Sequence, residues 1–387
     1  RDYFLGSKNT PWWSIGLSIV AAETSALTII GVPALAYGGN ITFIQMIIGY
    51  VIARLILAVV MVPHYLKGEI YSPYQLFGVR LGAAARQTAG GFFLISETLA
   101  AGVRVYVVSI PIQLMLGVGV VPSIILFVVL SLVYTYVGGV KAVIWTDAVQ
   151  FGLFLLGGLF ALCYIPGLVE GGFSGLMKTA ASAGKLHWFN PQFGLDAPFN
   201  IWMGVVGGTV LVMSSHGAEQ LIVQRVLACK NVTDGRKALV LSAVLIFPLF
   251  LIFLLVGAML WVFYQTHPFQ IPLPEARPGI KANDFIFPIF MMTEVPHVLR
   301  GFLIVAILSA AMSSVSSALT SLASVSTMDF VKGRHGKRSE EFYLNFSKWS
   351  TIPWAGILIV MAYLSREVAF VLNAAFTLRG LTSGALL

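Results

Sequence analysis

Residues Ala21 to Gly39 read AAETSALTIIGVPALAYGG. The run is apolar enough to lie in a membrane, yet it carries Glu23, the hydroxyls of Thr24, Ser25 and Thr28, Pro33 and several small residues. An acid at membrane depth is costly unless it faces a partner or an aqueous cavity. Proline removes a backbone donor, and Ser and Thr offer the backbone competing hydrogen bonds, so the stretch reads as an interrupted helix rather than a simple span.

The rest of the chain has the same solvent. Of 387 residues, 58% are hydrophobic and 10% charged, and the mean hydropathy is +0.87. A bilayer core of ~30 Å needs ~20 helical residues per crossing. Apolar runs of that order recur as about ten expected spans: 12–37, 42–66, 90–116, 121–137, 143–166, 200–224, 237–264, 299–327, 346–365 and 367–387. The first is too long for a signal peptide and ends in no cleavage site. The chain begins without Met and stops inside an apolar run, which suggests a piece of a longer protein.

The net charge of +8 is a matter of side rather than of partner. Lys67, Arg80, Arg86, Lys141, Arg225, Lys230, Arg236, Lys237 and Lys332 fall in alternate loops, and cytoplasmic loops are the ones rich in Lys and Arg. Residue 1 is thus placed on the cytoplasmic side of a cell membrane, and a nucleic-acid partner is not needed to explain the basicity. Segments 167–199 and 265–298 then face outward as lids or short surface helices. Arg54, Arg104 and Arg379 remain inside spans, where each calls for a partner or a cavity.

Several chemistries drop out. There is no G-x-x-x-x-G-K-[ST] motif and no loop large enough for a nucleotide domain, so any energy comes from a gradient. The six histidines are scattered. Cys163 lies in a span and Cys229 in a short loop, which argues for neither a disulfide nor a metal site. No residue set argues for an enzyme.

A second interruption appears in the sixth span, where VMSSHGAEQLIVQR places Ser214, Ser215, His216, Gly217, Glu219 and Gln220 in an apolar run. Interrupted helices at matching positions of two halves mark a transporter site, because broken ends offer carbonyls to cations and amides to anions. The same small and hydroxyl residues also suit close helix packing. In the eighth span, LSAAMSSVSSALTSLASVSTMD sends Ser309, Ser313, Ser316, Thr320 and Ser324 down one face, with Ser317 beside them. Sodium prefers such oxygen ligands, although these hydroxyls can equally bond back along their own helix.

Three acids have two readings each. Asp147 opens the fifth span, as an acid favoured by a helix N-terminus or as a site residue. Glu97 and Arg104, seven apart and on one face, form a structural pair joined through another group, or leave Arg104 free to hold a solute carboxylate. Glu219, with Arg225, is read as anchoring the loop that follows, over the alternative of binding the solute.

Taken in order, RDYFLGSKNTPWW, SIVAAETSA, GGVKAVIWTDAVQ, EQLIVQRVLACKN and SSVSSALTSLASVSTMD resemble the sodium/solute symporter family over essentially the whole chain. The resemblance implies an all-α polytopic membrane protein with the LeuT-type fold of two inverted five-helix repeats. Here these would be one transporter domain, 1–387, with repeats at about 12–166 and 200–387, lacking the family's extra first helix and cut in its last. It implies a sodium site from the carbonyls of Ala21, Thr24 and Ala310 and the hydroxyls of Ser313 and Ser314. A second, found in some members, would use Asp147, Ser313, Ser316 and Ser317.

For the solute, the sugar-carrying members' side chains are replaced here by Leu27, Thr28 and Ile47. The sialic-acid-type pocket maps onto Thr28, Phe43 and Arg104, with Ser25, Ser214 and Ser215 at the breaks, and a hydroxyl there is replaced by Glu23. Glu23 would neutralise Arg104 or select a solute amine. The expected function is therefore sodium-coupled import of a small carboxylate-bearing solute (a monocarboxylate, an amino acid or a sialic-acid-like acid) by alternating access, with the lipid bilayer as surroundings and no partner protein evident. A transporter-like sensor domain of a signalling protein is the alternative. A channel would need a charge ring or carbonyl filter, which the sequence lacks.

Overall fold

The computed structural model describes residues 10–24, 26–66, 78, 81–194, 199–277, 280–332 and 338–367. The first expected span is two helices, α1 (Trp12–Glu23) and α2 (Ala26–Gly38). They are followed by α3 (Ile44–Leu66), α4 (Ala83–Leu116), α5 (Val120–Tyr164) and the short α6 (Gly172–Ser182). The sixth span is a π-turn, Met203–Gly207, then α7 (Gly208–Gly217) and α8 (Gln220–Leu227). Next come α9 (Val232–Thr266), a short antiparallel ribbon of β1 (Glu275–Arg277) and β2 (Ile280–Lys281), α10 (Ile286–Thr293), α11 (His297–Val325) and α12 (Glu340–Leu364). The protein is thus nearly all helical. Nine of the ten expected spans find helices, and the tenth, with Arg379, lies outside the described residues.

Local sequence sets several of these ends. Asn231 accepts the Asp234 N–H at 2.9 Å to start α9, and Ser339 accepts the Phe342 N–H at 3.2 Å to start α12, with Glu340 and Glu341 at the positive end of that helix dipole. α4 stops where Gly117 turns to φ 63°, a conformation glycine adopts without a Cβ penalty. One expectation is corrected: the break between 137 and 143 is not a loop, because the backbone stays helical from Val120 to Tyr164. Forty-five residues at ~1.5 Å each is about twice one crossing, so the run holds the residues of two spans.

Packing sorts the helices into two groups. α9 packs along α1, α2 and α3, and α3 along α7, which makes one bundle. α4, α11 and α12 pack on one another, with α5 along α11 and α12, as the second. They meet where α1 lies on α5 and where α1 and α2 touch α11. Large apolar side chains point away from both, with Val59 at 66% and Val133 at 63% exposure. In a chain of this hydropathy such an outer face is the lipid-facing one. Cys163 is exposed, and burial pushes the Cys229 thiol up to about 12, so it is inert as a nucleophile.

Glycine lets the bundle close. A Cβ on Gly49 of α3 would stand 2.8 Å from Thr209 N and against the Gly204 carbonyl, and one on Gly208 would stand 2.7 Å from Met46 O. These neighbours are backbone and cannot move aside cheaply. Small residues four apart, Gly204 and Gly208, are what allow two membrane helices to touch. Gly49→Ala is expected to cost about 1–3 kcal/mol, read as a lower melting temperature in detergent. Gly91→Ala, whose Cβ would meet nothing within 4 Å, is the control.

Candidate functional site

α1 ends because Thr24 leaves helical geometry at φ −84°, ψ 87°, although its N–H still reaches Val20 O at 2.7 Å. The two helix axes then meet at 54°. The last turn of a helix has carbonyls with no intrahelical donor, and here that turn contains Ala21, 3% exposed, and Thr24, 0% exposed. The Thr24 hydroxyl is buried and makes no hydrogen bond among the described residues. A buried oxygen left without a partner beside open carbonyls is the chemistry a hard, desolvated cation would satisfy. Ser314 is buried on α11, which packs against both halves of the broken helix. The side chains of Ala310 and Ser313, and the whole of Ser25, lie outside the described residues.

The sixth span breaks as the sequence suggests. α7 stops at Gly217, Ala218 and Glu219 leave helical geometry, and α8 resumes at Gln220. Ser214 and Ser215 are buried in the last turn before the break. The Tyr65 hydroxyl of α3 donates to the Gly217 carbonyl, so one of that turn's open acceptors is satisfied from the neighbouring helix.

Glu23 finds its partner on α3. Arg54, fully buried, donates from Nη2 to Glu23 Oε2, from Nη1 to Tyr50 O at 3.1 Å, and its Nη2 lies 3.2 Å from His216 Nε2. His216 also stands 3.5 Å from Glu23 Oε2, and its Nδ1 is 2.9 Å from Ser215 Oγ. The expectation that Glu23 neutralises Arg104 is therefore corrected. Arg104 pairs with Glu97 directly, Nη1 to Oε1 at 2.8 Å, which also corrects the idea of a wholly free guanidinium. Its remaining donors make no other hydrogen bond among the described residues and stay available to an acceptor. Thr28 is buried, and the buried Phe43 ring has Phe199 at 5.1 Å and Phe250 at 5.9 Å.

A second charged knot joins both groups of helices. Asp147 of α5 accepts from Ser18 Oγ at 2.6 Å and from Arg225 Nη2 at 2.7 Å. Arg225 of α8 also reaches Ser317 Oγ of α11 at 2.9 Å, Ser18 Oγ at 2.8 Å and Leu221 O at 2.6 Å. Arg225 is thus not the loop anchor the sequence suggests. Its guanidinium stands where Asp147 and Ser317 would share a cation. Ser316 is fully buried nearby in sequence, and its hydroxyl has no hydrogen-bond partner among the described residues.

Sequence reading missed Arg54, His216 and Arg225 as partners. The signal was the rule that every membrane-depth ion needs a counter-ion, but the pairs are 31 residues or more apart and only the fold joins them. It also missed Lys185, in the segment after α6. Its Nζ caps the carbonyls of Tyr37 and Gly39 at 2.7 and 2.9 Å, at the end of α2, and lies over the Trp261 ring. Burial lowers the pKa of this ammonium.

Comparison with known proteins places this geometry. Residues 3–386 match the model of the sodium:solute symporter family. A sodium/sialic acid symporter of Proteus mirabilis is 30% identical over 85% of this chain and 65% of its own. The human sodium/iodide cotransporter and human sodium-coupled monocarboxylate transporter 2 are each 26% identical over all of this chain, and over 60% and 62% of theirs. The chain therefore spans about 60–65% of the length of these relatives. A solved structure of a Na⁺-coupled sialic acid symporter, substrate-bound and outward-open, superposes with a TM-score of 0.88 at 27% identity, covering all of this chain and 79% of that one.

Proposed function

Because this chain belongs to the sodium:solute symporter family and has its LeuT-like fold, we propose that it is the core of a sodium-coupled secondary carrier that imports a small organic acid. The observation that carries the reading is the pair of helix breaks, at Thr24 and at Ala218–Glu219, bridged by Arg54, with the buried Thr24 hydroxyl left without a hydrogen-bond partner among the described residues. Sodium is held by the carbonyls of Ala21, Thr24 and Ala310 and the hydroxyls of Ser313 and Ser314. A second ion uses Asp147, Ser313, Ser316 and Ser317 when Arg225 withdraws. The inverted halves are about 12–166 and 200–387, and residue 1 is cytoplasmic in a cell membrane.

The solute lies at the breaks, against Glu23, Ser25, Thr28, Phe43, Ser214 and Ser215, with its carboxylate on the free donors of Arg104. Three relatives support an anion, being described as carriers of sialic acid, iodide and monocarboxylates. Sodium favours the outward-open state, solute completes the site, and the bundle of α1, α2, α3, α7 and α9 rocks against the rest. Sodium and solute then raise each other's affinity by one factor.

The test is uptake into proteoliposomes by the full-length protein, with small carboxylates offered under an inward sodium gradient. Accumulation of one of them that collapses when choline replaces sodium is the expected result. Accumulation indifferent to sodium sinks the reading. Arg104→Ala should cut uptake of that acid by at least about tenfold, the loss of a charge-assisted hydrogen bond.

A further inference from the structure

We propose that Arg54 is a positioning residue for the sodium site at the first-helix break. The inference rests on the sodium-symport reading above. Glu23 is the last residue of α1, between Ala21 and Thr24, whose carbonyls that reading gives to sodium. The turn has lost its intrahelical donors, and a helix end in that state frays unless something holds it. Its side-chain anchor is the Arg54 guanidinium.

Arg54 is itself fixed. Nη1 is tied to Tyr50 O one turn back on its own helix, at 3.1 Å, and the side chain is 0% exposed. Nη2 serves Glu23 and also lies 3.2 Å from His216 Nε2. An arginine N–H only donates, so Nε2 is the acceptor and the imidazole proton sits on Nδ1, toward Ser215 Oγ at 2.9 Å. One guanidinium therefore sets the end of α1 against the end of α7. Without it, sodium would have to order the turn as it binds, and that ordering would be subtracted from its affinity.

A buried ion pair is weak evidence for stability, since an apolar pair of similar volume often does as well. What an apolar pair does not supply is a directional hold on the residue between the two ligating carbonyls. This difference separates positioning from mere structure.

The experiment measures sodium affinity of the full-length protein in detergent, from thermal stabilisation by NaCl against choline chloride with no organic solute present. Glu23→Gln is compared with the double variant Glu23→Gln/Arg54→Met, which leaves neither charge unpaired. Both are expected to bind sodium about tenfold more weakly, the size of one lost charge-assisted hydrogen bond, and the double variant no more weakly than the single. The double variant is also expected to melt near the wild type. If it regains stability and wild-type sodium affinity together, the pair is only structural and the inference falls. Should the single variant fail to fold, the double variant decides alone. A wild type indifferent to sodium overturns the symport reading and this inference with it; a responsive wild type with equally responsive variants overturns this inference only.

Discussion

Asp147→Asn is expected to destabilise the protein by about 3–5 kcal/mol, the usual cost of removing one partner from a buried ion pair. Asp147 is 0% exposed and Arg225 4%. The carboxylate takes two bonds from the guanidinium, at 2.7 and 3.3 Å, and one from Ser18. With Asn in place, the positive charge stays buried with only neutral partners among the described residues, two hydroxyls, a carbonyl and the substituted amide, and a buried cation without a counter-ion is costly. The loss should appear as a large drop in melting temperature and in monodisperse protein. Asp147→Asn/Arg225→Gln, which removes both charges, should recover most of it. A single variant that melts with the wild type would mean that the pair contributes little to holding α5, α8 and α11 together.

The double variant also tests the second ion. It has no carboxylate to offer sodium, so the dependence of uptake on sodium concentration should lose steepness, its Hill coefficient falling toward about 1. An unchanged Hill coefficient in a well-folded double variant removes Asp147 from the sodium sites and leaves it a structural counter-ion of Arg225.

The two helix breaks were legible because their signal is local. Glu23 and His216 are polar residues inside apolar runs, flanked by residues that compete with the helix, and the chain leaves helical geometry at Thr24 and at Ala218. The Glu97–Arg104 pair was half legible: i and i+7 share a face about 10 Å apart along the axis, which two long side chains span without the intermediary expected. The partners of Glu23 and Asp147 were not legible. Arg54 is visible in the sequence as a costly cation and Arg225 reads as a loop residue, and deciding which acid each meets requires knowing that α1 and α3 both pack along α9 and that α1 packs on both α5 and α8. The helical join inside α5 was missed for another reason: Gly138, Gly139 and Lys141 mark a polar break in a hydropathy profile, which reports where the bilayer ends and not where the backbone stops being helical.

Ser313→Ala/Ser314→Ala is expected to abolish sodium-driven uptake while the protein still folds. The proposed site has five oxygen donors, three of them backbone carbonyls that no side-chain change removes. The two hydroxyls are the part a mutation can reach. A hydrogen bond to a charged group contributes about 1.5–3 kcal/mol, and ion–dipole ligation of a desolvated sodium is at least of that order, so losing two ligands should weaken sodium about 100-fold or more. Stability should change little by comparison, because Ala favours the helix and suits a closely packed face. Thr320→Ala is the matched control on the same helix. Its hydroxyl is already committed to Ser316 O at 2.7 Å, so its loss should leave sodium affinity within about twofold. The discriminating result is the pair of variants taken together: sodium-dependent thermal stabilisation lost in the double serine variant and kept in Thr320→Ala. If both lose it, the helix has been disturbed rather than a ligand removed, and if neither does, sodium binds elsewhere than between the first-helix break and α11.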